Sequence, residues 1–562
     1  MIELTLTEAF GAAEVLWTSV PAGSSALRRT VHEVSTDTRE LRPGSLFIGL
    51  AGPLFNGADF ASAALEAGAS AVLVQAPAEE APRALAELEG LSERYVAPIA
   101  VCSDTRAALG NIGHLIRQRS TAKAVAITGS CGKTSTKAIV AHMLRAGSRS
   151  SDATVVASPK SFNNYIGVPR TLMLAERTTE FLVLEVGTNG PGEIADLAAI
   201  AAPDVAMITT IGRAHLEGLG SVEGIAEEKG MLLAALDPSR PGAMAVLNAD
   251  CPMLPRLLAH VPEGVPVMLF GSEESGASHS GRGPGVWAGD VRATARGTEC
   301  RLSIDAELTP GREITKRSTV IPLLGDHAAA NVAASIAVVL ALGGDLDAAL
   351  GSIASLEAEP HRLQPTLAGG VLVIDDAYNA NPESMAAAIG TLMGVERAAA
   401  DSLAPHSSGE SRASARRVLV AGAMGEMGPE RLALHREVGA VAGASAVDCL
   451  YLVGEAHDRD ALVAMGEGAV AGGLAPESVH LSVDISGAIA ALTAAGTGLA
   501  SGDVCLVKAS RAARLERVVD ALTAHFTARS AAYSKGDELS FEALGSDEPR
   551  GPRRIQRPGA HT

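Results

Sequence analysis

Four features are scarce in this sequence of 562 residues: aromatic side chains, an excess of positive charge, paired cysteines and long apolar runs. Phe, Trp and Tyr make up 3% of the residues and hydrophobic residues 47%, so aliphatic side chains and alanine must fill the cores. The formal net charge is −18, which argues against a general nucleic-acid binder because a phosphate backbone requires a basic surface. A local basic pocket for a small anion is still compatible with this charge.

The cysteines and the apolar runs indicate the compartment. The six cysteines lack the paired spacing of a disulfide framework or a zinc site, as is typical of reduced thiols in the cytosol. The N-terminus lacks the basic segment and apolar core of a signal peptide. The longest apolar run, residues 328–344, is interrupted by Asn331 and Ser335 and is too short to span a membrane. We therefore expect a soluble, cytoplasmic and monomeric protein with no integral membrane segment and no nucleic-acid partner.

What the sequence does contain is a glycine-bracketed turn between a strand pattern and a helix pattern, Ala124-Val-Ala-Ile-Thr-Gly-Ser-Cys-Gly-Lys-Thr-Ser135. In such a loop, backbone N–H groups and the helix N-terminus face a polyphosphate, the lysine reaches the terminal phosphates and the Thr hydroxyl binds Mg²⁺. The spacing departs from the strict P-loop, and an ordinary strand-to-helix turn is the alternative that the Lys-Thr pair disfavours. The candidate nucleotide-binding residues are Gly129, Ser130, Gly132, Lys133, Thr134 and Ser135.

Alternating strand and helix patterns predict an α/β protein of three domains. Residues 1–118 form a small N-terminal domain, 119–358 a central P-loop ATPase domain with a mostly parallel sheet, and 359–535 a Rossmann-like C-terminal domain. Residues 536–562 are polar and rich in Pro, Arg and Gly, so we expect a disordered tail. Residues 291–296 and 300–304 alternate like an antiparallel pair. Other expected elements are a helix over 58–67 and strands over 45–50, 71–74, 181–184, 205–209, 243–247, 371–374, 417–421, 449–453 and 504–507.

Further segments carry polar side chains that suit a phosphate–Mg²⁺ site. Glu185 ends a strand pattern, where ligands gather in open α/β sheets, and a carboxylate there is a suitable hard ligand for Mg²⁺. His215 follows the next strand, and Lys229 lies in a helix pattern; alone, each is more often structural. Asn331 opens a long helix and offers an amide to a base edge, and the loop 375–382 offers carboxylates, an aromatic face and amides. An ordinary strand end or helix start is the alternative in each case.

Taken together and in this order, these segments resemble the Mur ligase family, the ATP-dependent amide-forming enzymes of peptidoglycan synthesis. The resemblance covers roughly residues 30–525 and is closest to the members that add D-alanyl-D-alanine to a UDP-N-acetylmuramoyl-tripeptide. The blocks that carry it are Thr36-Asp-Thr-Arg39, Ser161-Phe-Asn-Asn-Tyr-Ile-Gly-Val-Pro169, Ala214-His-Leu-Glu-Gly-Leu-Gly-Ser221, Asp376-Ala-Tyr-Asn-Ala-Asn381 and Gly422-Ala-Met-Gly-Glu-Met-Gly428.

The resemblance implies a ligase that joins D-alanyl-D-alanine to UDP-N-acetylmuramoyl-tripeptide through an acyl phosphate, with ATP and two Mg²⁺ ions. Thr134 and Glu185 would hold one ion. Glu185, His215 and a carboxylated Lys229 would hold the second. Lys133, His215 and Lys229 are the implied catalytic residues. Nucleotide contacts implied beyond the loop are Asn331, Arg362, Asp376, Tyr378 and Asn379; substrate contacts implied are Thr36, Asp37, Arg39, Asn56, Gly57, Asn163 and Asn164.

Three other functions stay open: a sister Mur ligase with another amino-acid donor, a nucleotide-binding regulator that has lost ligation, and a P-loop kinase. The intact set Lys133, Thr134, Glu185, His215 and Lys229 argues against the regulator, and the third α/β unit argues against the kinase. Either diaminopimelate or lysine fits the third position of the peptide. Cys131 in the phosphate loop is expected either to be reactive, because a helix N-terminus can lower a thiol pKa, or to be a tolerated small residue.

Overall fold

The computed structural model describes residues 1–52, 55–75, 81–147, 154–278, 282–294, 297–309, 311–395 and 415–544. Within these ranges the strands form three large sheets, one after another along the chain, and a two-stranded ribbon near the N-terminus. Each large sheet takes its strands from one continuous segment, so the chain folds as an N-terminal, a central and a C-terminal α/β unit. The predicted three-domain α/β class is therefore confirmed.

The N-terminal unit contains strands β1 to β7 and four helices. The strands are β1 Leu4–Thr5, β2 Trp17–Thr18, β3 Thr30–Val31, β4 Val34–Ser35, β5 Leu46–Gly49, β6 Ala71–Gln75 and β7 Ile99–Cys102; the helices are Leu6–Ala12, Ala61–Glu66, Ala81–Tyr95 and Thr105–Arg119. The sheet has the order β2-β7-β6-β5-β4 and is parallel except for β2, while β1 and β3 form the ribbon.

The central unit contains a sheet of nine strands: β8 Lys123–Thr128, β9 Val155–Ala157, β10 Phe181–Glu185, β11 Val205–Ile208, β12 Met244–Asn248, β13 Val267–Ser272, β14 Gly285–Thr294, β15 Gly297–Ile304 and β16 Thr315–Ile321. Across the sheet their order is β16-β15-β14-β13-β12-β11-β8-β10-β9. The helices are Lys133–Gly147, Gly167–Leu172, Glu193–Ala201, Leu216–Leu219, Val222–Ala234, Leu254–Leu258, Glu273–Ser278, His327–Ala341 and Leu346–Ser352. Strands β8 to β14 are parallel to their neighbours, and β14, β15 and β16 pair antiparallel. Both the mostly parallel sheet and the predicted antiparallel pair are confirmed, although residues 295–296 lie outside the described ranges.

The C-terminal unit contains a sheet of six strands: β17 Gln364–Ala368, β18 Val371–Asp376, β19 Arg417–Ala421, β20 Cys449–Val453, β21 Val479–Ser482 and β22 Val504–Lys508. Across the sheet their order is β17-β18-β22-β19-β20-β21. All neighbours are parallel except β17, which is antiparallel to β18. The helices are Pro382–Gly394, Arg431–Ala444, Arg459–Ala471, Ile485–Thr493 and Glu516–Leu544.

The last helix, Glu516–Leu544, extends past residue 535, where we expected the third unit to end. Residues 545–562 lie outside the described ranges. The disordered tail expected over 536–562 and the boundaries at 118, 358 and 535 stay predictions.

One hydrophobic core joins the N-terminal unit to one face of the central sheet. It includes Leu4, Leu109 and Ile112 from the first unit and Ile194 and Leu197 from the second. The C-terminal sheet instead has a core on each face that is built almost entirely from its own segment. As the composition predicts, these cores consist mainly of aliphatic and alanine side chains, and all six cysteines are free thiols. No helix within the described ranges has both the length and the apolar character that a membrane span requires.

Candidate active site

A cleft of about 1150 Å³ opens where the central and C-terminal units meet. The ends of parallel strands from both sheets border it: β8 leads into the loop at Ser130–Lys133, β10 ends at Glu185, β18 ends at Asp376 and β22 ends at Lys508. Ligands of open α/β sheets bind at the carboxyl ends of the strands, and two such edges face each other here. The cleft is therefore the candidate active site.

The phosphate loop has a backbone that only glycine can adopt. Gly129 has a φ of +149°, and a Cβ built there would lie 1.9 Å from the Thr209 hydroxyl oxygen. Gly132 has a φ of +83°, in the left-handed region. The Ser130 hydroxyl donates to the Gly212 carbonyl oxygen and accepts from the Gly212 N–H, which ties the loop to the segment after β11. The two glycines thus form a tight turn that ends at Lys133, where the helix Lys133–Gly147 begins.

Lys133 and Thr134 present a charged and a polar group to the cleft. The Lys133 ammonium donates to the Gly129 carbonyl oxygen at 2.6 Å, so it lies across the loop that it follows. Burial lowers the pKa of this lysine, and the Glu185 carboxylate opposes that shift. The Thr134 hydroxyl donates to Glu185 Oε1 at 3.2 Å. The helix start and the end of β10 are therefore in direct contact.

Glu185 has the surroundings of a ligand for a hard cation. The residue is 1% exposed, and its Oε1 also accepts a hydrogen bond from the Asn163 amide at 3.0 Å. Oε2 lies 3.3 Å from the Lys137 ammonium but has no hydrogen-bond partner of good geometry among the described residues. A buried carboxylate oxygen without a hydrogen bond is costly in an apoprotein. This oxygen and the Thr134 hydroxyl therefore fit Mg²⁺, which prefers oxygen ligands.

His215 lies in the loop after β11, whereas Lys229 lies in the helix Val222–Ala234 and is not among the residues that line the cleft. His215 lines the cleft, and its Nδ1 lies 2.5 Å from Glu426 Oε2 of the C-terminal unit. Lys229 is fully buried, and its ammonium nitrogen has no hydrogen-bond partner among the described residues. Burial lowers the Lys229 pKa to about 7, and the nearby Lys133 charge contributes to that shift. A buried lysine without a hydrogen-bond partner and with a lowered pKa is a candidate functional residue.

The described residues contain no group of three or more His, Cys, Asp or Glu side chains placed to hold a metal ion. This agrees with the composition of the predicted set, because only Glu185 and His215 in it belong to those residue types. Thr134 and an unmodified Lys229 fall outside them. A third ligand for the second ion, and a second anionic one, would arise if the Lys229 amine carried a carboxyl group, which would also give its unpartnered nitrogen a chemical use.

The predicted nucleotide contacts lie together on the C-terminal side of the cleft, with Asn331 on the central side. The Arg362 guanidinium stacks on the Tyr378 ring at 4.2 Å, and the Tyr378 hydroxyl donates to the Ser161 hydroxyl oxygen of the central unit. Lys508 bonds Asp376 Oδ2 at 2.6 Å and the Asn379 carbonyl oxygen at 2.9 Å. These residues form a charged and aromatic surface across the cleft from the phosphate loop.

The predicted substrate contacts divide into two groups. Thr36, Asp37, Arg39, Asn56 and Gly57 belong to the N-terminal unit and do not line the cleft, whereas Asn163 does. Arg39 forms a bidentate pair with Asp37, which lowers the Asp37 pKa to about 2. Asn56 accepts from the Ala58 N–H and so begins a short 3₁₀ turn, and Asn164 accepts from the N–H groups of Ile166 and Gly167. Asn164 therefore has a local structural use, and its role at a substrate stays a prediction.

Sequence reasoning missed several residues that the cleft brings together. Lys137, the first residue of the predicted helix pattern, is 3% exposed and pairs with Glu185. Asn381 caps the helix Pro382–Gly394 and contacts Cys131 across the cleft. Glu426 reaches His215 over a separation of more than 200 residues. Lys137 had a local signal, since a lysine four residues after Lys133 lies on the same helix face. Asn381 and Glu426 lie in two of the blocks that carry the family resemblance, but we assigned neither of them a role.

Cys131 does not have the reactive character that its position suggested as one alternative. Burial raises the pKa of the Cys131 thiol, although the nearby Lys133 charge acts in the opposite direction. Its sulfur lies 3.3 Å from the Asn381 side chain. Loss of solvation outweighs the helix N-terminus here, so the interpretation as a tolerated small residue is the one that the structure favours.

Comparisons with known proteins give a consistent result. The description "Mur ligase family, catalytic domain" matches residues 30–114, "Mur ligase middle domain" matches 127–339, and "Mur ligase, glutamate ligase domain" matches 361–511. The UDP-N-acetylmuramoyl-tripeptide–D-alanyl-D-alanine ligase of Escherichia coli (strain K12) is 32% identical over 497 residues, which cover 88% of this chain and 94% of that protein. The enzyme of the same name from Mycobacterium tuberculosis (strain H37Rv) is 33% identical over 555 residues, covering 94% of this chain and 99% of that protein.

Solved structures show the same likeness in three dimensions. The crystal structure of the MurF ligase from Thermotoga maritima in complex with ADP has a TM-score of 0.68 at 26% identity, covering 90% of this chain and 100% of that chain. A crystal structure of MurF from Acinetobacter baumannii has a TM-score of 0.73 at 23% identity, covering 93% of this chain and 99% of that one, which shows likeness of fold.

Proposed function

This chain belongs to the Mur ligase family, and we propose that it uses ATP to join D-alanyl-D-alanine to UDP-N-acetylmuramoyl-tripeptide in the synthesis of peptidoglycan precursors. The similarity to ligases of that name extends over 94% of the Escherichia coli protein. The observation that carries the proposal is the contact of Thr134 in the phosphate loop with the buried Glu185, at the base of the cleft between two units. A hydroxyl and a buried carboxylate beside a phosphate loop suit a Mg²⁺–nucleotide site, and the similarity to ligases over nearly the whole chain indicates which reaction that site serves.

The proposed reaction has two steps. A carboxylate oxygen of the peptide attacks the γ-phosphorus of ATP, the bond to the β-phosphate oxygen breaks, and an acyl phosphate and ADP form. The amine of D-alanyl-D-alanine then attacks the acyl carbon, phosphate leaves with the bonding electrons, and the nitrogen loses a proton. Most of the catalysis in such transfers comes from positioning and from stabilising charge. Lys133 and the loop N–H groups supply fixed positive charge and dipoles at the phosphate end.

Magnesium ions, when bound, would neutralise charge on the phosphates. We propose Thr134 and Glu185 as ligands of one ion, and Glu185, His215 and a carboxylated Lys229 as ligands of a second. Two observations support this assignment: Glu185 Oε2 has an ion pair with Lys137 but no hydrogen bond of good geometry, and the Lys229 amine has no hydrogen-bond partner among the described residues. An amine with a pKa of about 7 is partly neutral at neutral pH, which is the form that adds to CO₂. The carbamate would convert a cation that repels a metal into an anionic oxygen ligand.

The C-terminal side of the cleft is proposed to hold the nucleoside part of ATP. Tyr378 and Arg362 offer a stacked surface, Asn331 offers an amide, and Asp376 and Asn379 are held in place by Lys508. The N-terminal residues Thr36, Asp37, Arg39, Asn56 and Gly57 are proposed to contact the UDP end of the substrate, and Asn163 and Asn164 the part that approaches the phosphate loop.

Phosphate release by the purified protein tests the function. With ATP, Mg²⁺ and UDP-N-acetylmuramoyl-tripeptide, carrying either diaminopimelate or lysine, release is expected only when D-alanyl-D-alanine is present, together with a UDP-linked pentapeptide detected by mass spectrometry. Turnover that depends on another amino acid would identify a sister ligase. A phosphorylated product without an amide would identify a kinase, and nucleotide binding without turnover in every combination would identify a regulator.

A further inference from the structure

Glu426 is an acidic side chain that the C-terminal unit brings to the edge of the candidate active site. Its Oε2 lies 2.5 Å from Nδ1 of His215, which belongs to the central unit. His215 is 18% exposed at its side chain and lines the cleft. Nδ1 has no linear hydrogen bond among the described residues, so this approach is the polar contact available to it. Hydrogen bonds of catalytic groups are often poorly aligned before substrate binds.

The backbone at both residues is unusual. His215 has a φ of 65° and Glu426 a φ of 60°, so each is a non-glycine residue in the left-handed region. A side chain disfavours this conformation, which persists where the surrounding structure determines it. Here the two strained residues face each other across the boundary between two units. With the backbone in this conformation at both positions, the Glu426 carboxylate lies against the His215 imidazole.

The segment around Glu426, residues 422–428, is firmly held on both sides. The Glu426 carbonyl oxygen accepts from the Glu217 N–H at 3.3 Å, two residues after His215. Gly428 packs so closely on Glu217 that a Cβ there would lie 3.2 Å from the Glu217 Cα. Within the C-terminal unit, the Met424 N–H donates to Nε2 of the fully buried His435 at 2.9 Å. The backbone that carries Glu426 is therefore fixed by contacts with both units.

We propose that Glu426 is a positioning residue that holds a proton on Nδ1 of His215, so that Nε2 is the nitrogen left to bind a metal ion or to accept a proton. A histidine binds a metal or accepts a proton through one nitrogen, and a carboxylate on the other nitrogen selects the tautomer and fixes the ring. The inference rests on the proposed function, since His215 takes part in ligation only there. The two residues belong to different units. Glu426 can therefore fix the tautomer and the ring orientation of His215 only when the C-terminal unit has the position that it has in this structure.

The test is Glu426→Gln in the full-length chain. The amide keeps the shape of the side chain but can offer either a donor or an acceptor to Nδ1, so the preference for one tautomer is lost. The matched control is Glu437→Gln, which removes a carboxylate from another contact between the same units, the pair of Glu437 with Arg213. Thermal unfolding of both variants verifies that they fold.

Two readouts decide the inference. Selective ¹⁵N-histidine labelling, with His215→Gln to assign the signal, is expected to show the Nδ1–H tautomer of His215 in the wild type and in Glu437→Gln, and a mixture in Glu426→Gln. In the ligation assay, Glu426→Gln is expected to lower kcat by roughly 10–100-fold while the KM for ATP changes less than about threefold. Glu437→Gln is expected to stay within about threefold of the wild type in both constants.

The outcomes separate the inference from the proposed function. A wild type that ligates no substrate pair would overturn the proposed function, and the tautomer measurement would still decide whether Glu426 sets His215. An unchanged tautomer in Glu426→Gln overturns the inference whatever happens to kcat. A changed tautomer with an unchanged kcat also overturns it, because His215 would then be set without any effect on turnover.

Discussion

At the scale of single residues, the buried lysine is the most informative feature. Lys229 is fully buried, has no hydrogen-bond partner among the described residues and lies near the positive charge of Lys133. Each of these properties lowers the stability of the folded protein when the amine is charged. The proposed carbamate would remove this charge and would give the buried nitrogen a role at the metal site.

The first prediction concerns the activity of this lysine. Lys229→Ala is expected to lower ligation by roughly 100-fold or more, because one anionic ligand of the proposed metal site is lost. Formate or acetate can occupy the space of the missing side chain, so millimolar amounts of either are expected to restore part of the rate. Lys316→Ala, at an exposed position, is the control and is expected to respond to neither change. Full activity of Lys229→Ala without added acid would rule out the carbamate.

The second prediction concerns stability as a function of pH, in CO₂-free buffer without nucleotide. The Lys229 pKa falls from its ordinary value of 10.5 to about 7 in the folded protein, so the unfolded chain binds the extra proton between these values. The free energy of unfolding therefore rises with pH across that window, and the full penalty applies below pH 7. Lys229→Met is expected to be more stable than the wild type by roughly 1–4 kcal/mol at pH 7. The difference in the free energy of unfolding between Lys229→Met and the wild type should become smaller toward pH 10. A difference that does not change with pH would contradict the lowered Lys229 pKa as its cause.

The sequence allowed part of the site to be predicted. Lys133 and Thr134 come after a glycine-bracketed turn, Glu185 ends a strand pattern, and His215 lies in the loop after the next strand pattern. The structure brings all four to one cleft. Glu426 could not be found in this way, since its importance arises from contact with a residue in another unit. A local pattern carries no information about which loops of two separate sheets will face each other.

At the scale of elements, strands were easier to predict than helix starts. The apolar runs at 417–421 and 449–453 form strands with those bounds, because short β-branched runs buried on both faces have few alternatives. The helix expected over 58–67 is an α-helix only over Ala61–Glu66. Asn56 caps a 3₁₀ turn over Gly57–Phe60, and that turn takes up the residues assigned to the first helical turn.

The third prediction concerns the phosphate loop as an element. Gly129→Ala would place a methyl group 1.9 Å from the Thr209 hydroxyl oxygen, at a φ of +149° that a side chain disfavours. The loop must then open, and the free energy of unfolding is expected to fall by roughly 1–3 kcal/mol with a clear loss of ATP affinity. Calorimetric titration with an ATP analogue and thermal unfolding measure the two effects.

Gly390 provides the matched control for this prediction. It lies in the helix Pro382–Gly394, where an added Cβ would meet no atom within 4 Å and the backbone has no positive φ. Gly390→Ala is expected to raise stability by roughly 0.5–1 kcal/mol and to leave nucleotide binding unchanged. Wild-type ATP affinity in Gly129→Ala would show that the tight turn is not needed for binding.

At the scale of the whole molecule, three sheets do not mean three independent cores. The helix Thr105–Arg119 belongs to the N-terminal unit, yet it packs on the central helices Gly167–Leu172 and Glu193–Ala201. Its Arg117 is 5% exposed and forms a 2.8 Å ion pair with Asp204 of the central unit. The sequence predicted the units because each has its own strand series, but it could not reveal that two of them share a core.

The fourth prediction follows from that shared core and concerns fragments of the chain. A fragment of residues 1–358 keeps the shared core and is expected to be soluble and to unfold cooperatively. A fragment of residues 120–358 loses Leu109 and Ile112, which exposes an apolar face, and it loses Arg117, one of the two arginine partners of Asp204. It is expected to aggregate, or to melt well below the longer fragment. Residues 359–562, whose cores come almost entirely from their own segment, are the control and are expected to fold alone. If the 120–358 fragment is soluble and melts within about 4 °C of the 1–358 fragment, the N-terminal unit contributes little to the stability of the central unit, and the prediction is wrong.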